Sequence, residues 1–265
     1  MKKDKEPKTI YFSDELNDDF AGNGIEANKV DNNFRYTNKS LLFRFNSFLL
    51  RYFFAVPVLW LVNTLLFRPK IMNKGVLKQL KKKGYYVYSN HVLPFDPIIL
   101  PVKTQPGKAM VIIAGHELFS INKFVTWLVR HFYAIPTPNM DIEMTENFKE
   151  CLSYHINKRH RVLIYPEAHI WPYYNGIRPF RSASFRYPVD EKVPIVVATT
   201  TFKKRRGNRK PKPIIYLDGP FYSNSDLSYH DQINELRNKA YETMLWRAGK
   251  EDNYAYIKYI KVDKK

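Results

Sequence analysis

The sequence predicts an α/β domain, a mixed sheet flanked by helices, preceded by an N-terminal membrane-associated helical segment. Three observations carry this expectation. Short β-branched or aromatic runs (YYVYS at Tyr85 to Ser89, AMVIIA at Ala109 to Ala114, VPIVVATTT at Val193 to Thr201) alternate with stretches of helical spacing. Strands that alternate with helices build layered α/β folds, not all-α or all-β ones. The chain has 265 residues, 45% of them hydrophobic, which is enough for one large core. Ahead of the alternating region runs LLFRFNSFLLRYFFAVPVLWLVNTLLF, Leu41 to Phe67, far more apolar than its surroundings.

The elements follow in order. Met1 to Asn33 are polar and charge-mixed, so residues 1–39 read as a largely disordered tail and not a signal peptide. Within 40–68, Arg44, Asn46 and Arg51 interrupt the apolar run, and Pro57 predicts a kink. Tyr52 to Val62 is too short to cross a bilayer, which takes about 20 apolar residues. A helix or kinked helix pair lying in the membrane interface fits best. A buried core helix, or a span with snorkelling arginines, are the alternatives. Residues 69–265 form the expected α/β domain. There Asn73 to Lys83 predicts a short basic helix, Glu117 to Phe132 a helix, and Asp141 to Arg159 a longer one. Glu and Asp stand near the start of the longer helix, with Lys158 and Arg159 at its end, as the helix dipole favours. Val162 to Tyr165 and Ile214 to Leu217 predict strands, and Asp226 to Arg247 a closing amphipathic helix.

The formal charge is +18, which favours polyanionic partners, either nucleic acid or an anionic membrane surface. The run KKRRGNRKPKP, Lys203 to Pro213, carries seven basic residues. It reads as a solvated loop able to rest on anionic headgroups. It comes without a helix-turn-helix, zinc-finger or RNA-recognition signature, so nucleic acid is not the expected partner. With Cys151 as the single cysteine, no intrachain disulfide forms, in keeping with a reducing compartment. The expected location is the cytoplasmic face of the cell membrane.

The chemistry concentrates in Asn90-His91-Val92-Leu93-Pro94-Phe95-Asp96, where a strand ends and a loop begins. Active-site groups of open α/β sheets gather there. His91 and Asp96 can fold toward each other on a turn, the carboxylate holding one imidazole nitrogen protonated while the other accepts a proton from a hydroxyl. Taken alone, His91 is an ordinary hydrogen-bonded side chain and Asp96 a helix cap ahead of Pro97. No G-x-S-x-G is present, so the hydroxyl to be activated is the substrate's own. His116-Glu117 starts like a zinc-protease helix, but Ser120 breaks the pattern, and His155, His160 and His169 have no metal-ligand spacing.

The box NHVLPFD resembles the Asn-His-x-x-x-x-Asp motif of the glycerolipid acyltransferase family, which includes the 1-acylglycerol-3-phosphate acyltransferases. Further boxes follow in order. Glu117-Leu118-Phe119 with Ala134-Ile135-Pro136 resembles the second, Leu163-Ile164-Tyr165-Pro166-Glu167 the third, Pro179 to Phe185 the basic turn, and Val193-Pro194-Ile195-Val196 the fourth. The resemblance runs from Tyr85 to Thr201, and an ordered series is more specific than any one box. It departs after Glu167, where Ala168-His169-Ile170-Trp171 replaces Gly-Thr-Arg-Ser, and after Pro136, where the family's arginine is missing.

The resemblance implies acyl transfer from a thioester, acyl-CoA or acyl carrier protein, to the hydroxyl of a lysophospholipid or related glycerolipid. It needs neither a metal nor a redox cofactor. His91 would deprotonate the acceptor and Asp96 would fix its tautomer. Glu167 would orient the acceptor headgroup, and Asn90, Arg178 and Arg181 would complete substrate binding, the two arginines standing in for the missing cations. The implied partners are the lysolipid, the thioester donor and the anionic membrane surface. A non-catalytic basic protein of the membrane surface is the alternative, with a nucleic-acid binder behind it.

Overall fold

The computed structural model describes residues 7–20, 30, 34–139, 141–207 and 209–263. In chain order its strands are β1 (Lys8–Phe12), β2 (Lys70–Met72), β3 (Tyr85–Ser89), β4 (Met110–Ala114), β5 (Ala134–Pro136), β6 (Arg161–Ile164), β7 (Ile195–Lys203), β8 (Lys212–Phe221) and β9 (Ile257–Lys261). Its helices are α1 (Leu41–Phe67), α2 (Asp96–Lys103), α3 (Glu117–Ser120), α4 (Lys123–His131), α5 (Ile142–Asn157), α6 (Arg186–Asp190) and α7 (Tyr229–Ala248). Seven strands make one sheet in the order β2-β8-β7-β3-β6-β4-β5, parallel except for the antiparallel β7–β8 pair. This is the mixed, helix-flanked sheet that the sequence predicts.

Central β3 shows why its run is apolar throughout rather than alternating: both faces are covered. Tyr86 and Tyr88 enter a core with Phe148 and Leu152 of α5 and Leu236 and Met244 of α7. Tyr85 and Val87 enter a second core with Leu77, Leu80 and α2 residues Ile99 and Leu100. Two of the buried phenols are satisfied, Tyr88 by the Ser184 carbonyl at 2.8 Å and Tyr85 by Gln105 Oε1 at 2.7 Å. At the entry to β3 only glycine fits, because a Cβ on Gly84 would collide with the Ile156 carbonyl. Fully buried Arg161 opens β6 and donates to Thr104 Oγ1 and to the carbonyls of Pro101, Gln105 and Lys108. It thereby closes the C-terminal end of α2, where carbonyls lack helical partners.

Several expectations change. The polar tail is built into the fold wherever it is described. β1 pairs in parallel with β9, Phe12 and Phe20 pack on Trp171, and Tyr36 is buried against Phe148. These few aromatics anchor a segment whose composition is otherwise polar. The remainder of that tail, 1–6, 21–29 and 31–33, lies outside the described residues. The helix expected over 117–132 breaks at Asn122, whose extended backbone ends one helix while its side chain caps the next by accepting from Val125 N at 2.8 Å. The short basic helix is a 3-10 helix, Lys74–Leu80.

Helix α1 is continuous through Pro57. Wide π-type turns over Leu50–Ala55 absorb the ring and its missing N–H, with Val56 N bonding back to the Arg51 carbonyl. Its 27 residues extend about 40 Å. The core-helix alternative fails: Leu41, Leu42, Phe45, Phe53, Phe54, Trp60, Leu61, Leu65 and Leu66 are all exposed. A stripe through Phe43, Ser47, Arg51, Leu59, Asn63 and Phe67 instead faces the domain. Contacts run along its length: Phe43 with His131, Tyr52 Oη with the Gly107 carbonyl, Lys103 with Thr64, and Phe67 with Phe95.

His155 and His160 face each other across 2.9 Å between their Nδ1 atoms. Burial, reinforced by neighbouring cations, holds their pKa values down to about 3 and about 4. The unfolded chain therefore binds more protons below pH 6.5, and the stability these neutral imidazoles confer is lost as pH falls from 6.5 toward their folded values. Urea unfolding should show stability declining across that window by about 1.4 kcal/mol per pH unit for each histidine. Replacing both with glutamine should flatten the dependence.

Candidate active site

His91 follows the carboxyl end of β3. Its Nδ1 is buried and faces Asp96 Oδ2 at 3.5 Å, longer than a formed hydrogen bond. The imidazole side chain keeps 18% of its exposure. With Nδ1 buried, that exposure belongs to the other atoms of the side chain. Asp96 is almost fully buried at the first turn of α2. Its Oδ2 accepts the backbone N–H groups of Val92 at 2.9 Å and Leu93 at 2.7 Å, so the carboxylate is locked in place by the turn that carries His91.

A second loop, after β6, grips the first. Glu167 is buried. Its Oε2 accepts His91 N at 3.1 Å and its Oε1 accepts Arg178 N at 3.0 Å, while the Arg178 guanidinium lies 3.5 Å from Oε2. Burial raises the Glu167 pKa, and Arg178 and the two amides oppose that rise. Two backbone bonds add to the grip, Trp171 N to the His91 carbonyl at 3.2 Å and Tyr173 N to the Val92 carbonyl at 2.7 Å. Tyr165 stacks on the imidazole with ring centroids 4.2 Å apart.

The geometry turns three of the sequence-derived site residues inward. Both carboxylate oxygens of Glu167 have partners inside the protein. Arg178 is buried over the Trp171 ring, with Nη2 on the His169 carbonyl and Nη1 on that of Glu15. Asn90 spends its amide on the backbone of Thr200, donating at 3.0 Å and accepting at 2.8 Å, which clamps β3 to β7 beneath His91. Arg181 alone of that set is exposed. Tyr165 escaped sequence reading, although its position just before Pro166-Glu167 on the strand's continuation was a usable signal. Among the described residues no group of three or more His, Cys, Asp or Glu converges as a metal site.

A His and an Asp thus stand together at a strand end, braced by a buried glutamate from the neighbouring strand end. A family model described as Acyltransferase matches residues 69–200. Residues 69–200 therefore make an acyltransferase domain of that family, as the ordered boxes indicated. The fold of the chain is similar to the crystal structure of the 1-acyl-sn-glycerophosphate (LPA) acyltransferase PlsC from Thermotoga maritima. The TM-score is 0.54 at 16% identity, over 79% of this chain and 88% of that one. No curated protein matches the chain.

Where the third box has glycine in the family, this chain has Ala168, and its φ is +63°. Left-handed backbone costs a Cβ-bearing residue roughly 1–2 kcal/mol. Ala168→Gly should accordingly stabilise the protein by about 1 kcal/mol in urea unfolding, and an unchanged or lowered midpoint would show that the turn is not strained.

Proposed function

We propose that this acyltransferase moves a fatty acyl group from acyl-CoA or acyl carrier protein to the hydroxyl of a lysophospholipid or related glycerolipid, with His91 as general base. The carrying observation is the His91–Asp96 pair, its carboxylate fixed by two amides and its imidazole backed by Tyr165 and the Glu167-braced loop. In this reading Asp96 holds Nδ1 protonated, and Nε2 takes the proton of the acceptor hydroxyl. The oxygen attacks the thioester carbonyl, the thiolate leaves, and the imidazolium stabilised by Asp96 returns its proton to the departing sulfur. Asn90, Glu167 and Arg178 are positioning residues. Exposed Arg181 is the cation left to meet an acceptor phosphate.

Phe67 and Phe95 pack at 4.9 Å, so the end of α1 abuts the loop bearing His91 and Asp96. A lipid acceptor sitting in a leaflet reaches the dyad only if that loop meets the bilayer surface. α1 is seated on the domain along its whole length, which favours a helix lying in the interface with its exposed face toward lipid over one surrounded by it. The basic cluster Lys81-Lys82-Lys83 adds attraction to anionic headgroups at the cytoplasmic face.

Incubating purified protein with labelled acyl-CoA or acyl carrier protein and a panel of lysolipids tests the reaction. His91→Ala should abolish transfer, and Asp96→Asn should lower kcat by about 10²–10⁴-fold. Near-normal turnover by folded His91→Ala protein would refute the mechanism, and absence of transfer by the parent protein to every acceptor would favour the non-catalytic reading. For the membrane, Leu61→Glu with Leu65→Glu should release the protein from vesicles while leaving its unfolding midpoint nearly unchanged, since both side chains are exposed. Sedimentation with vesicles equal to the parent's would place the contact elsewhere.

A further inference from the structure

A cavity of about 460 Å³ opens between the start of α1 and the sheet. Its floor belongs to residues that precede strands: Lys108 comes before β4, and Arg159 and His160 before β6. It therefore lies at the amino ends of the parallel strands, the opposite end from His91. Arg35, Arg44, Arg51, Lys108, Lys158 and Arg159 line it, and among the described residues no Asp or Glu does.

Such cation density without a counter-charge is costly, and the neighbouring groups register it. Lys108 is pushed down to about 8 by burial and by Arg161 and Arg159. His160 is depressed by burial, then by Arg51, Lys108, Lys158 and Arg161. Arg51 stacks on Tyr133 at 4.0 Å, and its Nη2 is buried without a hydrogen-bond partner. A buried guanidinium nitrogen is rarely left unpaired, because desolvating it without a partner is expensive. Arg35, Arg44, Lys158 and Arg159 stand exposed around the opening, so an incoming anion meets cations at the rim and again within.

The neighbouring groove says which anion. A space of about 800 Å³ adjoins the cavity and shares Phe34, Asn38, Phe43 and Arg130 with it. Val30, Leu42, Phe119 and Trp127 make its walls largely apolar, and among the described residues no carboxylate lines it. The groove borders α1, whose Leu41, Leu42 and Phe45 face outward, and α4, whose Phe124 and Trp127 do the same.

We propose that the cavity holds the phosphate of an anionic phospholipid whose acyl chain lies in the adjoining groove, a lipid site separate from the His91 reaction centre. Arginine and lysine bind such phosphates through charge-assisted bonds, Arg51 Nη2 supplying the unpaired inner donor. The lipid would seat the start of α1 at the bilayer while its far end abuts the dyad. The proposal shares with the functional reading the contact of α1 with membrane, and the experiment separates the two.

The full chain is cosedimented with phosphatidylcholine vesicles, with and without 10 mol% phosphatidylglycerol. The comparison is between Arg35→Gln/Arg44→Gln/Lys158→Gln and a charge-matched control, Lys250→Gln/Lys258→Gln/Lys261→Gln, all exposed positions. The cavity triple should lose the phosphatidylglycerol-dependent gain in affinity by about tenfold more than the control. Equal losses in both triples would mean diffuse attraction and overturn the site. Binding of the parent to neither vesicle would instead sink the membrane contact of α1. Calorimetric titration with dihexanoyl-phosphatidylglycerol and with inorganic phosphate identifies the source. Saturation by the short-chain lipid near one per chain, weakened in Arg51→Gln and in Trp127→Ala, supports the lipid. Phosphate binding as tight as the lipid's, untouched by Trp127→Ala, would make this a free-phosphate site and refute it.

Discussion

The buried carboxylate of Glu167 holds the candidate active site together. It joins two loops that no strand pairing could join: its oxygens take the amide of His91 after β3 and the amide of Arg178 in the segment after β6. A desolvated carboxylate is stable only when its charge is met, and the Arg178 guanidinium beside it meets it. Removing either partner would strand the other without solvent, a loss of about 3–5 kcal/mol in typical buried pairs. That dependence explains why so much of the chain is spent on this segment. Trp171 is packed by Phe12, Phe20, Tyr174 and Tyr259, and its indole N–H donates to the Asp18 carbonyl. The β1–β9 pair thus presses the segment after β6 onto the dyad loop.

The second organising feature is a helix that serves two surfaces at once. α1 is held to the domain by contacts such as Tyr52 to the Gly107 carbonyl and Lys103 to Thr64, while its exposed positions are mostly Leu, Phe, Val and Trp. An exposed apolar surface of that extent marks an interaction site. Its two ends differ. The start borders a cation-rich cavity at the amino ends of the strands, and the finish touches Phe95 between His91 and Asp96. In the proposed reaction, one helix lying in the interface brings the dyad to the depth where a lipid hydroxyl is presented.

How much of this was legible follows from which forces are local. The sheet class, β3 with its residue limits, the extent of α5 and α7 and the His91–Asp96 pairing could all be read from the chain. Buried strands are continuous apolar runs, helices carry a 3.6-residue spacing, and both members of the dyad sit on one short turn. What the sequence could not rank was partnership between distant residues. Glu167, Arg178 and Asn90 looked like ligand-binding polar groups because polar residues in boxes near an active site usually face the cleft. Only the packing shows that they turn inward, toward amides and carbonyls that come from elsewhere in the chain. The same limit hid the role of residues 7–20, whose composition is that of a tail and whose few aromatics acquire meaning only beside Trp171. Composition likewise gave the protein's positive charge, but the convergence of Arg35, Arg51, Lys108 and Lys158 on one cavity is a tertiary fact, because like charges gather only where the backbone brings them together.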